Sequence, residues 1–272
     1  MSYSFLPDAR YRMPTHFGPS LGPRQGPEGR RYDCRNTPHQ VIVRAEFEAP
    51  AAELEPFMPP GFSVRRGEVH FTFSYMTEIA WLAGRGYDTF GVSVPARYAG
   101  STDRIDGDLL LVLWENMADP ITSGREELGF AKLFCDLPPL RRHEGEIVCE
   151  ASWDGFRFAT LRLAGLGGAP DAAAEASQGL LHYKYIPRTG APGEADAAYA
   201  VLTPAEGGHL RVESQIAARD AVCIFHRATW EELPTLVHIV DALADVPLGR
   251  CIRASVIETR GAKDLSDQRI LS

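Results

Sequence analysis

The chain predicts one antiparallel β domain with peripheral helices. Three observations lead there: strand-like runs recur along most of the sequence, helical periodicity is confined to short pieces, and no strand–helix–strand alternation appears. A length of 272 residues agrees, because all-β folds of this size commonly form one domain. Composition divides the chain into a Pro/Gly-rich arm over residues 1–36 and a single domain over 37–272.

In the arm, Pro14, Pro19, Gly22, Pro23, Gly26, Pro27 and Gly29 oppose regular structure. Tyr3, Phe5, Tyr11 and Phe17 favour an arm that packs over the domain or a neighbouring subunit; the alternative is a disordered leader. Residues 40–47 form a β-rich run, and Pro50 to Met58 reads as a short helix closed by Pro59-Pro60-Gly61. Gly67 to Met76 is a strand with aromatics alternating at Phe71, Phe73 and Tyr75. Residues 91–98 form another, and Asp108 to Glu115 is an apolar run ending in an acid. Glu146 to Leu163 predicts a hairpin turned at Asp154-Gly155. Ala172 to Leu181 is Ala-rich and reads as helical, and Tyr185 to Gly208 reads as loop. Strand character returns at Leu210–Ala217 and Ala221–His226. Thr229-Trp230-Glu231-Glu232 fits a capping box before a helix to about Leu243, with Leu233, Leu236, Val237 and Val240 on one stripe. Cys251–Thr259 is the last strand.

Composition narrows the function. A net charge of −8 argues against a nucleic-acid partner, whose phosphates need a basic surface. No run of about 18 apolar residues is present to span a membrane. The first residues lack the basic and apolar blocks of a secretory signal. Cys34, Cys135, Cys149, Cys223 and Cys251 show no zinc spacing and read as reduced thiols in a cytoplasmic protein. No H-E-x-x-H, G-x-S-x-G or P-loop occurs. Gly165-Leu166-Gly167-Gly168 is a weak phosphate signal, and His70 and His226 read as structural.

One residue type is conspicuous. The chain has twenty-five arginines and only three lysines, Lys132, Lys184 and Lys263. Lys132 sits in the nearly uncharged run Leu128-Gly129-Phe130-Ala131-Lys132-Leu133-Phe134. Arginine stays protonated in proteins, whereas a lysine in an apolar setting loses its proton more easily. A neutral amine attacks carbonyl carbons, so Lys132 is the candidate Schiff-base nucleophile. Two plainer readings stand beside it: a coding bias towards arginine, and a lysine that keeps its ammonium in water. If 128–134 is extended, Phe130 and Phe134 share a face with Lys132 and strip water from it.

The segment from Trp114-Glu115 through Gly124-Arg125-Glu126 to Phe130-Ala131-Lys132 resembles the acetoacetate decarboxylase family, in which such a lysine forms the Schiff base. A weaker likeness runs from about Pro38 to Ala262. The resemblance implies an antiparallel β-sheet closed into a cone-like barrel, with helices outside and the lysine inside. It also implies a homo-oligomer and chemistry that needs no cofactor. Ala131 replaces the usual proline, and Leu133 replaces the decarboxylases' second lysine. The arginine and glutamate of the decarboxylases fall on Gln40 and Thr89; Arg44 or Asp88 take their places if the alignment slides.

The expected roles follow. Lys132 is the nucleophile. Glu115 and Glu258 are acid/base candidates, each otherwise a carboxylate of a strand or its end. Arg125 and Glu126 hold the loop through a mutual or cross-strand ion pair, or else form a solvated turn. Tyr87 is a proton donor or a packing residue, and Gln40, Thr89, Leu128 and Phe130 shape the pocket. The favoured reaction is aldolase–dehydratase condensation of a small keto acid such as pyruvate with an aldehyde. The alternatives are decarboxylation of a β-keto acid and a non-catalytic small-molecule-binding barrel.

Overall fold

Each β-rich run becomes a strand in the computed structural model, which describes residues 4–168 and 177–272. In chain order the strands are β1 (His39–Glu48), β2 (Phe62–Val64), β3 (Glu68–Ile79), β4 (Arg85–Ala99), β5 (Arg104–Glu115), β6 (Lys132–Phe134), β7 (Arg141–His143) and β8 (Glu146–Trp153). There follow β9 (Phe156–Ala164), β10 (Gly179–Pro187), β11 (Ala195–Pro204), β12 (Arg211–Ala217), β13 (Asp220–Phe225), β14 (Cys251–Arg260) and β15 (Arg269–Ile270). The helices are α1 (Ala51–Leu54), α2 (Ala118–Ser123) and α3 (Val237–Asp245).

Two sheets form. The larger runs β12-β14-β1-β3-β4-β5-β10-β11-β15, with β2 on β4 and β6 on β5; the smaller runs β13-β9-β8-β7. This overturns the cone-like barrel. Closure requires the end strands to pair. Here β12 ends one side and the two-residue β15 the other, and β13, which directly follows β12, leaves for the second sheet. The larger sheet is also mixed rather than purely antiparallel, because β5 pairs in parallel with β10 at Asp108–Leu109 and with β6 at Leu113–Glu115. The fold is therefore α+β with two open sheets.

The core lies between the sheets. Phe73 stacks on Phe90 at 4.1 Å, Phe90 on Trp114 at 5.4 Å, and Trp114 meets Phe158 of the small sheet at 5.1 Å. Leu233, Leu236 and Val240 close the end of this core. Trp114 is fully buried. Trp114→Ala is expected to lower stability by about 3–5 kcal/mol, the usual cost of emptying a large aromatic site; chemical denaturation measures it.

Local chemistry explains most elements. Asp154 and Gly155 both adopt positive φ, 46° and 85°, the turn that matches strand twist in a two-residue hairpin. The Thr229 amide donates to Glu232 Oε2 at 2.8 Å, one half of a capping box, yet the helix begins only at Val237, after a run of turns. The expected loop at 185–208 instead contains β11 and the end of β10. Of the expected helix at 172–181, residues 172–176 lie outside the described residues, and Gly179–Leu181 begin β10.

Candidate active site

The site is built on the face of the large sheet that turns away from the core. In the β4–β5 pair, Phe90 stands opposite Trp114 and Thr89 opposite Glu115. Side chains alternate along a strand, so Phe90 and Trp114 enter the core while Thr89 and Glu115 face the other way. The same registers set Gln40, Met76 and Tyr87 in one row across β1, β3 and β4. After Glu115 the chain leaves through α2 and returns as β6, parallel to β5, with Lys132 opposite Leu113. That return brings Lys132 to the face of Glu115.

The returning loop is shaped around the lysine. A π-turn spans Gly124–Leu128 and ends at Gly129 in the left-handed region, φ 79°. A Cβ on Gly124 would sit 2.5, 2.6 and 2.7 Å from Cε, Cδ and Nζ of Lys132, so only glycine leaves room for the amine. Arg125 does not form the expected ion pair. Its Nη1 donates to the Lys132 backbone carbonyl at 2.8 Å, and Lys184 Nζ donates to the Glu126 carbonyl at 2.6 Å. The loop is thus held through backbone acceptors, with neither Arg125 nor Glu126 in an ion pair among the described residues. The loop's paired acid is the next residue, Glu127, which meets Arg12 and Arg24 of the N-terminal arm.

Lys132 Nζ lies 2.8 Å from Glu115 Oε1 and donates to the Pro120 carbonyl at 3.0 Å. The lysine is 7 % exposed and the glutamate 1 %. The Phe130 ring centroid is 5.2 Å from the amine. Phe134 is 47 % exposed, so one phenylalanine rather than two encloses it. Burial lowers the Lys132 pKa, opposed by the Glu115 charge and assisted by Arg24. Burial raises the Glu115 pKa, opposed by Lys132. Both shifts favour uncharged partners that share one proton. Glu115 Oε2 has no hydrogen-bond partner among the described residues.

A cavity of about 400 Å³ opens beside the amine. Gln40, Tyr87, Leu128 and Lys132 all line it, together with Arg24 and Lys263. Its size suits a small-molecule ligand. Burial, and then the Glu115 charge, push the Tyr87 phenol up, which keeps it protonated as a donor. His182 packs on Phe130 at 4.1 Å and meets Thr203 Oγ1 at 2.9 Å; burial and then Lys132 push it down to about 3, so it is a neutral ring.

The remaining candidates lie elsewhere. Thr89 is buried opposite Glu115 but does not line the cavity. Glu258 is paired with Val41 and falls on the opposite face from Gln40, 3.8 Å from Arg142 Nη2. Strand parity therefore separates it from Lys132. Asp88 is engaged with Asn116 at 3.1 Å, and Arg44 with Glu46 at 3.0 Å. Glu46, Glu68 and His70 gather ligand atoms within 4.8 Å of one another. Arg253 lies 2.8 Å from Glu46 and Arg66 3.1 Å from Glu68, so this cluster already carries its own cations.

Arg24 and Glu127 were not singled out from the sequence. Glu127 directly follows the Gly-Arg-Glu triplet, and Arg24 stands in a Pro/Gly-rich setting where only long-range contact gives it meaning. The arm meets the domain through these charges, whereas Phe5 and Phe17 are exposed. The acetoacetate decarboxylase family model matches residues 12–261. The chain belongs to that family.

It is a divergent acetoacetate decarboxylase family member. No curated protein matches it in sequence. Among solved structures, an acetoacetate decarboxylase from Legionella pneumophila subsp. pneumophila str. Philadelphia 1 is similar at 16 % identity, with 90 % of this chain and 92 % of that one covered and a TM-score of 0.62. The enduracididine biosynthesis enzyme MppR, complexed with pyruvate, is similar at 14 % identity, 91 % and 95 % coverage and a TM-score of 0.62. MppR complexed with the condensation product of pyruvate and imidazole 4-carboxaldehyde gives 15 %, 93 % and 98 %, and 0.58. At these identities the likenesses bear on the fold alone. This family member presents Gln40 to the cavity and carries Leu133 after the lysine.

Proposed function

We propose that the protein is a lysine Schiff-base lyase that condenses a small keto acid with an aldehyde and dehydrates the product. The carrying observation is a buried amine that lines a cavity of about 400 Å³ and lies 2.8 Å from a buried carboxylate. The Lys132 amine attacks the ketone carbon, forming a C–N bond as the C=O π bond opens, and water leaves to give the iminium. Glu115, which holds the proton shared with the amine, gives it to the departing hydroxyl. The iminium draws electrons from the adjacent carbon, which loses a proton to the Glu115 carboxylate to become an enamine. That carbon attacks the aldehyde, and loss of a second water gives the unsaturated product. Tyr87, held protonated, supplies a proton to the departing oxygen. Water then releases the product and restores the amine.

Gln40 at the cavity wall supports this reaction over β-keto acid decarboxylation, because the family resemblance sets it where the decarboxylases carry a charged arginine. The MppR complexes add support, since that similar structure holds pyruvate and a pyruvate condensation product. Borohydride reduction in the presence of pyruvate is expected to add the mass of the reduced adduct to the Lys132 peptide. Lys184, which does not line the cavity and whose amine is held by the Glu126 carbonyl at 2.6 Å, serves as an internal control. An unmodified Lys132 peptide leaves a non-catalytic binder as the reading, and carbon dioxide release from acetoacetate moves the assignment to a decarboxylase.

A further inference from the structure

We propose that Arg24, delivered by the N-terminal arm, is the residue that binds the substrate carboxylate. The inference rests on the keto-acid reading above and names the group that recognises the acid end. Arg24 is 3 % exposed and lines the same cavity as Lys132. Its Nε donates to Glu127 Oε2 at 3.0 Å, and its Nη2 meets the same oxygen. Glu127 is in turn held by Arg12. One edge of the guanidinium is therefore fixed, while Nη1 is buried without a hydrogen-bond partner among the described residues. A buried guanidinium nitrogen with no acceptor is costly. A bound carboxylate relieves that cost with a charge-assisted hydrogen bond.

The remaining charges at the cavity agree. Lys263 lines it, but its amine is spent on the carbonyls of Pro204 and Glu206 and on Asp267. Asp264 lines it too, yet its oxygens already accept from Arg31 and from the amide and hydroxyl of Ser266. Arg24 is then the lining cation with a donor to spare.

The test separates this assignment from the imine itself. Propionate carries the carboxylate but no carbonyl; acetone carries the carbonyl but no carboxylate. Arg24→Gln is expected to weaken propionate binding, followed by NMR titration, by about 10- to 100-fold. Acetone trapping on Lys132 by borohydride, read at a pH high enough to keep the amine neutral without the Arg24 charge, should proceed at the unaltered rate. Arg24→Lys keeps charge without the fork and should fall between, which guards against a Gln variant that merely loosens the arm. Unchanged propionate affinity in Arg24→Gln, or no binding to the unaltered protein, overturns the proposal. An equal loss of propionate binding and acetone trapping also overturns it, because Arg24 would then only hold the loop. Failure of acetone to label the unaltered protein refutes the imine reading and leaves the propionate result to judge Arg24.

Discussion

Glu115→Gln is expected to cut turnover by about 10²–10⁴-fold, the range set by loss of a general acid/base group. It should also move imine formation to lower pH. The sign follows from the neighbours of the amine. In the unaltered protein, burial lowers the Lys132 pKa and the Glu115 charge raises it. Glutamine removes the raising influence and leaves burial and Arg24, both of which favour the neutral amine. The pH at which half the protein is trapped by pyruvate and borohydride should therefore fall. Rapid trapping combined with slow turnover identifies Glu115 as a proton carrier rather than a prop for the lysine. A half-trapping pH that rises, or turnover that is unchanged, refutes the assignment.

Gly124→Ala should nearly abolish trapping while leaving the fold intact. The added methyl would fall 2.5 Å from Cε and 2.7 Å from Nζ of Lys132. The atoms it meets are the end of a flexible chain, so the amine moves and the backbone does not. Gly124 has φ −70° and ψ −41°, a conformation that alanine adopts freely. Alanine in a helical position is favoured over glycine by about 0.8–1.0 kcal/mol. Thermal stability should accordingly hold or rise. Misplacement of a reacting group by about 1 Å costs on the order of 10²-fold in rate. Mass-spectrometric trapping and a melting curve on the same sample check both halves. A variant that traps at the unaltered rate would show that Gly124 does not set the lysine's place.

The contrast between what the sequence revealed and what it concealed has physical causes. Strands with alternating or β-branched residues, such as β1, β3 and β14, were legible because their period matches the pleat. β11 was not, because Ala195-Asp196-Ala197-Ala198 carries short side chains of low strand preference; pairing with β10 makes it a strand. The barrel expectation failed at β13, since no local signal says which sheet a strand will join. At the site, the rarity of lysine and the spacing from Gly124 to Lys132 carried most of the information. Gln40 and Tyr87 reach one cavity because the strand registers align them. Glu258 lies one residue from the parity that would have turned it the same way, a distinction visible only once β14 is paired with β1. Arg24 depends on contact with Glu127 across more than a hundred residues, which no local pattern encodes.

The placement of the three lysines has a last consequence. None is among the exposed residues: Lys132 is buried, and Lys184 and Lys263 are half-buried with their amines occupied. Exposed cationic side chains are therefore arginines, which do not form imines with simple aldehydes and ketones. Under the Schiff-base chemistry proposed above, a carbonyl compound meets no fully exposed lysine among the described residues. The scarcity of lysine would then steer imine formation to Lys132, the amine beside Glu115.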